Sequence, residues 1–230
     1  MKTTRIDIEL AMLKTSLFEM WTLVDKQLKK AEAAFFTCDK ALSREIISRE
    51  KMVNALELKI DADCEAFIAT LNPVAIDLRL ALSILKINNN LERIGDFAEG
   101  IAIFILKNMS EPLNNPFKEA LRIEEMFSEV RTMFSLAKEA LMLENSAKAE
   151  KVFGIDYLVD EINHDSIRVI SDEIKRFPEK AEEYLYLHAV IRKLERIGDR
   201  CNNIAEEIVF YLDAKVLKHA KLGKEDTESE

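Results

Sequence analysis

One twelve-residue stretch occurs twice in this chain, and the repetition constrains the fold more than any other feature of the sequence. Residues 91–102 read L-E-R-I-G-D-F-A-E-G-I-A, and residues 194–205 read L-E-R-I-G-D-R-C-N-N-I-A, so eight of twelve positions are identical at an offset of 103 residues. Identity this dense indicates an internal duplication. We therefore expect two equivalent halves with equivalent functional positions.

The repeated block places a glycine inside a long apolar-periodic segment. Gly95 and Gly198 should each cost a helix about 1 kcal/mol relative to alanine. A close approach by a neighbouring helix, or a backbone that comes near a bound ion, would compensate that cost. Each copy also carries two carboxylates four residues apart on one helical face, where like charges repel, so the pairs predict a shared counter-charge. These carboxylates are Glu92, Asp96, Glu195 and Asp199.

The composition predicts long helices and excludes several functions. The 230 residues include only five glycines and four prolines, and the net charge of −9 is unfavourable for binding nucleic acid. No apolar run reaches the roughly 18 residues of a membrane span, and Asp7 and Glu9 stand where a signal peptide would be apolar. We therefore expect a soluble, cytoplasmic protein. Three cysteines without a Cys-x-x-Cys spacing favour buried structural thiols.

Apolar residues at alternating steps of three and four predict three long helices in the first half. The first runs from about Arg5 to Phe35 and the second from about Lys40 to Leu71. Asn72 is predicted to be the N-cap of the third helix, with Pro73 as its first helical residue.

The second half predicts three more helices after a linker at residues 108–115. The fourth helix restarts at Pro116 and continues through Ala120 and Ile123 to about Leu141, Asn145 and Ser146 precede the fifth, and Pro178 precedes the sixth. The fold class is therefore all-α, a tandem pair of antiparallel three-helix bundles related by duplication. The predicted domains are residues 1–110 and 115–220, followed by a disordered tail at residues 221–230.

Further acids on the preceding helix of each half extend the two candidate sites. Glu50, Asn54 and Glu57 stand where Asp156, Asp160 and Asn163 stand in the second half, each set at i, i+4 and i+7. Oxygen ligands of this kind suit Mg²⁺, Mn²⁺, Ca²⁺ or iron rather than an ion that prefers thiolates. The alternative is an exposed acidic ridge neutralised by Arg93, Arg196 and loosely held ions.

One enzyme-like unit needs separate consideration. Glu161 and His164 form a Glu-x-x-His element of the kind found in di-iron carboxylate bundles. Neither His188 nor His219 follows a glutamate at that spacing, so the second copy that such a ferritin-like oxidase requires is missing from the sequence. We find no positive case for catalysis.

The repeated L-E-R-I-G-D, the N-I-A-E at residues 203–206 and the N-P-V-A-I-D-L-R at residues 72–79 carry a family resemblance. With these motifs the chain resembles the PhoU family, regulators attached to bacterial phosphate uptake, over nearly its whole length. The family fold is a tandem pair of three-helix bundles.

The resemblance implies metal binding at Glu/Asp-x-x-x-Asp motifs, with iron, manganese, magnesium or zinc as candidate ions. It implies ligands at the residues that match these motifs, namely Glu92, Asp96, Glu195, Asp199, Asp156, Asp160 and Glu50, with Glu57 alongside. Asn54 departs from the motif, Phe97 and Arg200 replace a common histidine, and Gly100 stands where the second copy has Asn203. We therefore expect weaker metal binding in the first half.

The resemblance also implies a function without turnover. Family members restrain phosphate import and the phosphate-starvation response when phosphate is plentiful. The implied partners are the ATPase subunit of a phosphate ABC transporter and a membrane sensor histidine kinase, and we expect a homodimer. A metal-dependent helical adaptor without a phosphate role is the alternative in the same fold.

Overall fold

The structure, a computed structural model, describes residues 4–217, which form seven α-helices and contain no strand. The first half consists of α1 (Arg5–Thr37), α2 (Lys40–Leu71) and α3 (Ala75–Asn108). The second half consists of α4 (Asn115–Ala120), α5 (Ile123–Met142), α6 (Ser146–Arg176), a 3-10 turn (Pro178–Lys180) and α7 (Ala181–Asp213). No helix within the described residues is both long enough and apolar enough to cross a bilayer.

Each half is an antiparallel three-helix bundle, which confirms the predicted fold class. The first bundle packs α1, α2 and α3 together, and the second packs α5, α6 and α7. The predicted apolar stripes are buried, including Trp21 of α1, which packs against Phe134 of α5 with ring centroids 5.5 Å apart. The cysteines Cys64 and Cys201 are buried free thiols, as predicted, whereas Cys38 is only partly buried.

The two bundles meet along α3 and α7. Arg79 Nε donates to the carbonyl of Tyr211 at 3.3 Å, and Asn203 Nδ2 donates to Asn90 Oδ1 at 3.4 Å. Later residues of α3 therefore contact earlier residues of α7, so the two helices run antiparallel. Since α3 and α7 are the duplicated helices, the interface relates equivalent elements of the two halves.

The prediction for the start of the third helix is wrong. Asn72 is the C-cap of α2 with a left-handed backbone (φ 46°), and its N–H donates to the carbonyl of Ile68. The third helix begins at Ala75 after Val74, whose side chain makes no capping hydrogen bond. Asparagine is one of the residues that tolerate the left-handed conformation, so it serves equally well at a helix C-terminus.

The predicted continuous fourth helix is also wrong, because the chain breaks at Leu121 and Arg122. Arg122 has a left-handed backbone (φ 51°), and its guanidinium contacts Glu125 at 2.7 Å and Glu161 at 2.6 Å. The break buries Leu121 and leaves Ala120 exposed, where a continuous helix would have buried Ala120.

The linker prediction fits the chain path, because residues 109–114 connect α3 to α4. A division into separate domains at this linker stays a prediction. The predicted disordered tail at residues 221–230 lies outside the described residues.

Candidate metal centres

The first half gathers five carboxylates between α2 and α3, which we call the N-terminal acidic group. Its members are Glu50, Glu57, Glu92, Asp96 and Glu99. Glu50 is only 5% exposed, and burial raises its pKa to about 7, with the negative charges of Asp96, Glu99 and Glu92 acting in the same direction. Burial is also the main cause of the raised pKa values of Glu57, Glu92 and Glu99.

The cationic side chain that pairs with this group is Arg93, which lies on α3 together with Glu92 and Asp96. Arg93 Nη1 lies 3.0 Å from Asp96 Oδ2, and Arg93 Nε lies 3.4 Å from Glu92 Oε2. The predicted neutralisation of an acidic ridge by arginine therefore exists in the first half. Arg93 is half-exposed, so its side chain can leave the carboxylates at a small cost.

The second half gathers four carboxylates between α6 and α7, which we call the C-terminal acidic group. Its members are Asp156, Asp160, Glu195 and Asp199. Burial raises the pKa of Asp156 to about 6, and the negative charge of Asp160 raises it further, while a side-chain hydrogen bond from Asn202 opposes the shift. The pKa values of Asp160, Glu195 and Asp199 are raised for the same main reason, burial.

The glycine of each repeat lies where a side chain of the preceding long helix approaches most closely. A Cβ atom on Gly95 would lie 3.3 Å from Val53 Cγ1 and 3.4 Å from Glu50 Oε1. A Cβ atom on Gly198 would lie 3.2 Å from Asp156 Oδ1 and 3.5 Å from Val159 Cγ1. The close approach that the sequence predicted is therefore confirmed, and it brings buried Glu50 to Gly95 and partly buried Asp156 to Gly198.

Buried oxygens without a hydrogen-bond donor cluster at both acidic groups. In the first half they are Glu50 Oε1, Gln27 Oε1 and Glu92 Oε2, the last of which makes a long 3.4 Å ion pair with Arg93 Nε, and in the second half they are Asn163 Oδ1 and Asn202 Oδ1. Each is an acceptor, so a cation or a water molecule would satisfy it where a further acceptor would not. The donor sets of both halves therefore fit a hard, oxygen-liganded cation.

The side chains as placed do not form a coordination shell. Within residues 4–217, no three His, Cys, Asp or Glu side chains converge closely enough to hold a metal ion. The eight predicted ligand residues nevertheless fall into the two groups in which the sequence placed them. Their assignment as ligands stays a prediction.

Three residues of these sites escaped the sequence analysis. Glu99 follows Glu92 at i+7, the same signal that identified Glu57 after Glu50, and Asn202 is its equivalent in the second half. Gln27 of α1 is 2% exposed, and its Nε2 donates to Glu50 Oε2 at 2.8 Å. Its position next to Leu28, on the buried stripe of α1, is the one feature of the sequence that marked Gln27 as unusual.

Gly100 and the Glu-x-x-His unit, which the sequence analysis also singled out, lie away from the two acidic groups. Gly100 faces α7, where an added Cβ would meet the side chain of Lys193, so this glycine serves the interface between the halves. Its counterpart Asn203 likewise contacts Asn90 across that interface. In the Glu-x-x-His unit, His164 is exposed, and exposed Glu161 accepts a hydrogen bond from Arg122. That unit therefore lies at the surface, outside a bundle core.

Fold and site together define a class: a duplicated helical-bundle protein with one carboxylate-rich group between the last two helices of each bundle. The model of the PhoU domain matches residues 17–105 and 123–208, which are the two halves. The chain therefore belongs to the PhoU family.

Curated relatives agree with this assignment. The chain is 30% identical over 217 residues to the phosphate-specific transport system accessory protein PhoU homolog 1 of Thermotoga maritima, covering 94% of this chain and 93% of the relative. It is also 30% identical over 215 residues to the phosphate-specific transport system accessory protein PhoU of Escherichia coli K12, covering 94% and 88%.

Solved structures show the same architecture. The crystal structure of PhoU from Pseudomonas aeruginosa has a TM-score of 0.84 at 28% identity, with 92% of this chain and 100% of that chain covered. The phosphate transport system regulatory protein PhoU from Streptococcus pneumoniae has a TM-score of 0.76 at 26% identity, with 92% and 99% covered.

Proposed function

We propose that this chain is a regulator of phosphate uptake that restrains a phosphate ABC transporter and the phosphate-starvation response when phosphate is plentiful. The observation that carries the proposal is the full-length match to relatives named phosphate-specific transport accessory proteins, at 30% identity over 94% of this chain. Both halves take part in that match, so neither half is an unrelated addition. The role is one of binding and signalling, without catalytic turnover.

Both acidic groups belong to this proposal as cation sites. In each group the carboxylates come from two neighbouring helices, so their mutual repulsion opposes close packing of that helix pair. Iron, manganese, magnesium or zinc, when bound, supplies the neutralising charge. The raised pKa values of Glu50 and Asp156 support this role, because they show that unneutralised negative charge is costly at these positions.

The partners in this proposal are the ATPase subunit of the transporter and a membrane sensor histidine kinase. The protein acts in the cytoplasm as a homodimer and reaches the membrane through these partners. The overall charge of −9 favours basic partner surfaces.

Metal content tests the cation part of the proposal. Protein purified without chelator or metal-affinity resin should contain metal in about stoichiometric amounts by elemental analysis. The double variant Glu195→Ala, Asp199→Ala should lose the metal of the second half, whereas Asp165→Ala, an exposed acid outside both groups, should retain it. Equal metal content in all three proteins would contradict the assignment of these carboxylates.

A reporter of the phosphate-starvation response tests the regulatory part. Deleting the gene should switch the reporter on in phosphate-rich medium, and the wild-type chain should switch it off again. Binding to the purified transporter ATPase should then be measured with and without metal. A reporter that stays off after deletion would leave the chain a helical adaptor without a phosphate role and overturn the proposal.

A further inference from the structure

A buried glutamine of α1 supports the N-terminal acidic group from the core side. Gln27 is 2% exposed among apolar neighbours, a position where an amide is costly unless it forms hydrogen bonds. Its Nε2 donates to Glu50 Oε2 at 2.8 Å, so the amide holds one carboxylate oxygen of Glu50 in place. The other oxygen, Oε1, has no donor.

Two oxygens without donors converge beside Gly95. A Cβ atom on Gly95 would lie 3.2 Å from Gln27 Oε1 and 3.4 Å from Glu50 Oε1. Both oxygens are buried, and neither accepts a hydrogen bond. A buried acceptor without a partner costs about 1–3 kcal/mol, and a bound cation or water molecule between these two oxygens would remove that cost.

The second half supports its carboxylate in another way. Met133 of α5 takes the equivalent place, with its Cε 3.6 Å from a Cβ on Gly198, and its thioether has no hydrogen to donate. Asp156 instead receives its side-chain hydrogen bond from Asn202 of α7. The equivalent of Asn202 in the first half is Glu99, a carboxylate.

We propose that Gln27 is a positioning residue that fixes Glu50 as a ligand for a hard divalent cation, so that three helices build the site of the first half. In the second half only α6 and α7 build the site. The inference rests on the cation-binding role proposed above. It reverses the sequence-based expectation of a weaker first half, because the N-terminal acidic group has five carboxylates against four and a preorganised Glu50.

The Gln27→Met variant tests the inference, with Met133→Gln as its matched control in the other half. Both are made in the Glu195→Ala, Asp199→Ala background, so that the first half alone binds. Binding of Mn²⁺ is followed by electron paramagnetic resonance of the free ion, at the same pH for all variants. We expect Gln27→Met to weaken Mn²⁺ binding about 10–100-fold, the usual effect of losing a residue that orients a ligand. Met133→Gln should leave the affinity unchanged.

Three results would overturn the inference. Unchanged affinity in Gln27→Met would remove the role of Gln27 and leave the cation proposal standing. An equal loss in Met133→Gln would show a general effect of core substitutions. Absence of Mn²⁺ binding in the wild-type chain would overturn the cation proposal together with this inference. Thermal unfolding with chelator verifies folding of each variant, and Gln27→Leu replaces Gln27→Met if the latter does not fold.

Discussion

The two halves share their backbone constraints and differ in the polar side chains that surround them. Both have a glycine in the third helix of the bundle, a carboxylate on the preceding helix beside it, and an acid pair at i, i+4 around it. Around these shared features the two halves carry different residues at equivalent positions. Gln27 of the first half corresponds to Met133 of the second, and Glu99 corresponds to Asn202.

The difference shows which features the duplication had to preserve. The glycine allows close packing in both halves, since a Cβ there would lie 3.4 Å from buried Glu50 in the first half and 3.2 Å from partly buried Asp156 in the second. The hydrogen bond to that carboxylate can come from either neighbouring helix, so the residue that supplies it was free to diverge. In the proposed cation sites, the presence of Gln27 therefore affects how strongly the first half binds a cation, and the shared glycine allows the two helices of each site to approach.

The largest expected effect is a pH dependence that separates the two halves. The folded pKa of Glu50 is about 7 against an ordinary value of 4.5, so the folded chain binds more protons than the unfolded chain between these values. The free energy of unfolding of the metal-free protein therefore falls as pH rises through this range, by on the order of 3 kcal/mol at most from Glu50. Asp156 acts in the same direction between its ordinary value of 3.8 and about 6.

Urea unfolding at several pH values in the presence of chelator measures this dependence. Glu50→Gln should remove the decrease between about pH 5 and 7, and Asp156→Asn should remove the part at lower pH. An unchanged pH profile in both variants would mean that neither carboxyl has a raised pKa.

A smaller effect is expected at the interface between the halves. Buried Glu207 of α7 pairs with Lys86 of α3 at 2.9 Å. The duplication does not repeat this pair, because Lys86 corresponds to Ala189 in α7 and Glu207 corresponds to Phe104 in α3. Lys86→Met should lower the free energy of unfolding by about 1–2 kcal/mol, because it leaves a buried carboxylate without its partner. Adding Glu207→Gln should restore most of the loss, as urea unfolding of the double variant would show. Strictly additive losses would contradict this coupling.

The two glycines should respond differently to alanine. A methyl group on Gly95 meets three atoms at 3.2–3.4 Å and disturbs the hydrogen bond between Gln27 and Glu50, whereas one on Gly198 meets atoms at 3.2–3.6 Å. Overpacking costs about 1–3 kcal/mol, and the higher helix propensity of alanine returns about 1 kcal/mol. Gly95→Ala should therefore destabilise the protein by about 1 kcal/mol in thermal unfolding, and Gly198→Ala should be close to neutral. Equal effects would contradict the closer packing at Gly95.

The smallest effect concerns the two repeat arginines. Arg93 pairs with Glu92 and Asp96 on its own helix, so Arg93→Gln should change stability by no more than about 0.5 kcal/mol. Removing this competing cation should strengthen Mn²⁺ binding in the first half by a few-fold. Arg196→Gln is the matched variant for the second half. Weaker Mn²⁺ binding in Arg93→Gln would show that Arg93 supports the site.

The sequence by itself determined the duplication, the long helices, the fold class and the two acidic groups. The duplication follows from sequence identity, and the helices with their acidic faces follow from spacing within one helix, which 3.6 residues per turn convert directly into a shared face. For this reason the spacing of Glu92 and Asp96 was enough to place them together, and Glu99 was within reach of the same argument.

Only the tertiary structure decided which residues from different helices meet. It assigned Asn72 to the end of α2, broke the fourth helix at Arg122, placed Gly100 against Lys193, and brought Gln27 to Glu50. Each of these depends on packing between elements distant in the chain or on a choice between near-equal local conformations. Periodicity within one helix carries no information about either, because it fixes which face is buried and leaves open what lies opposite that face.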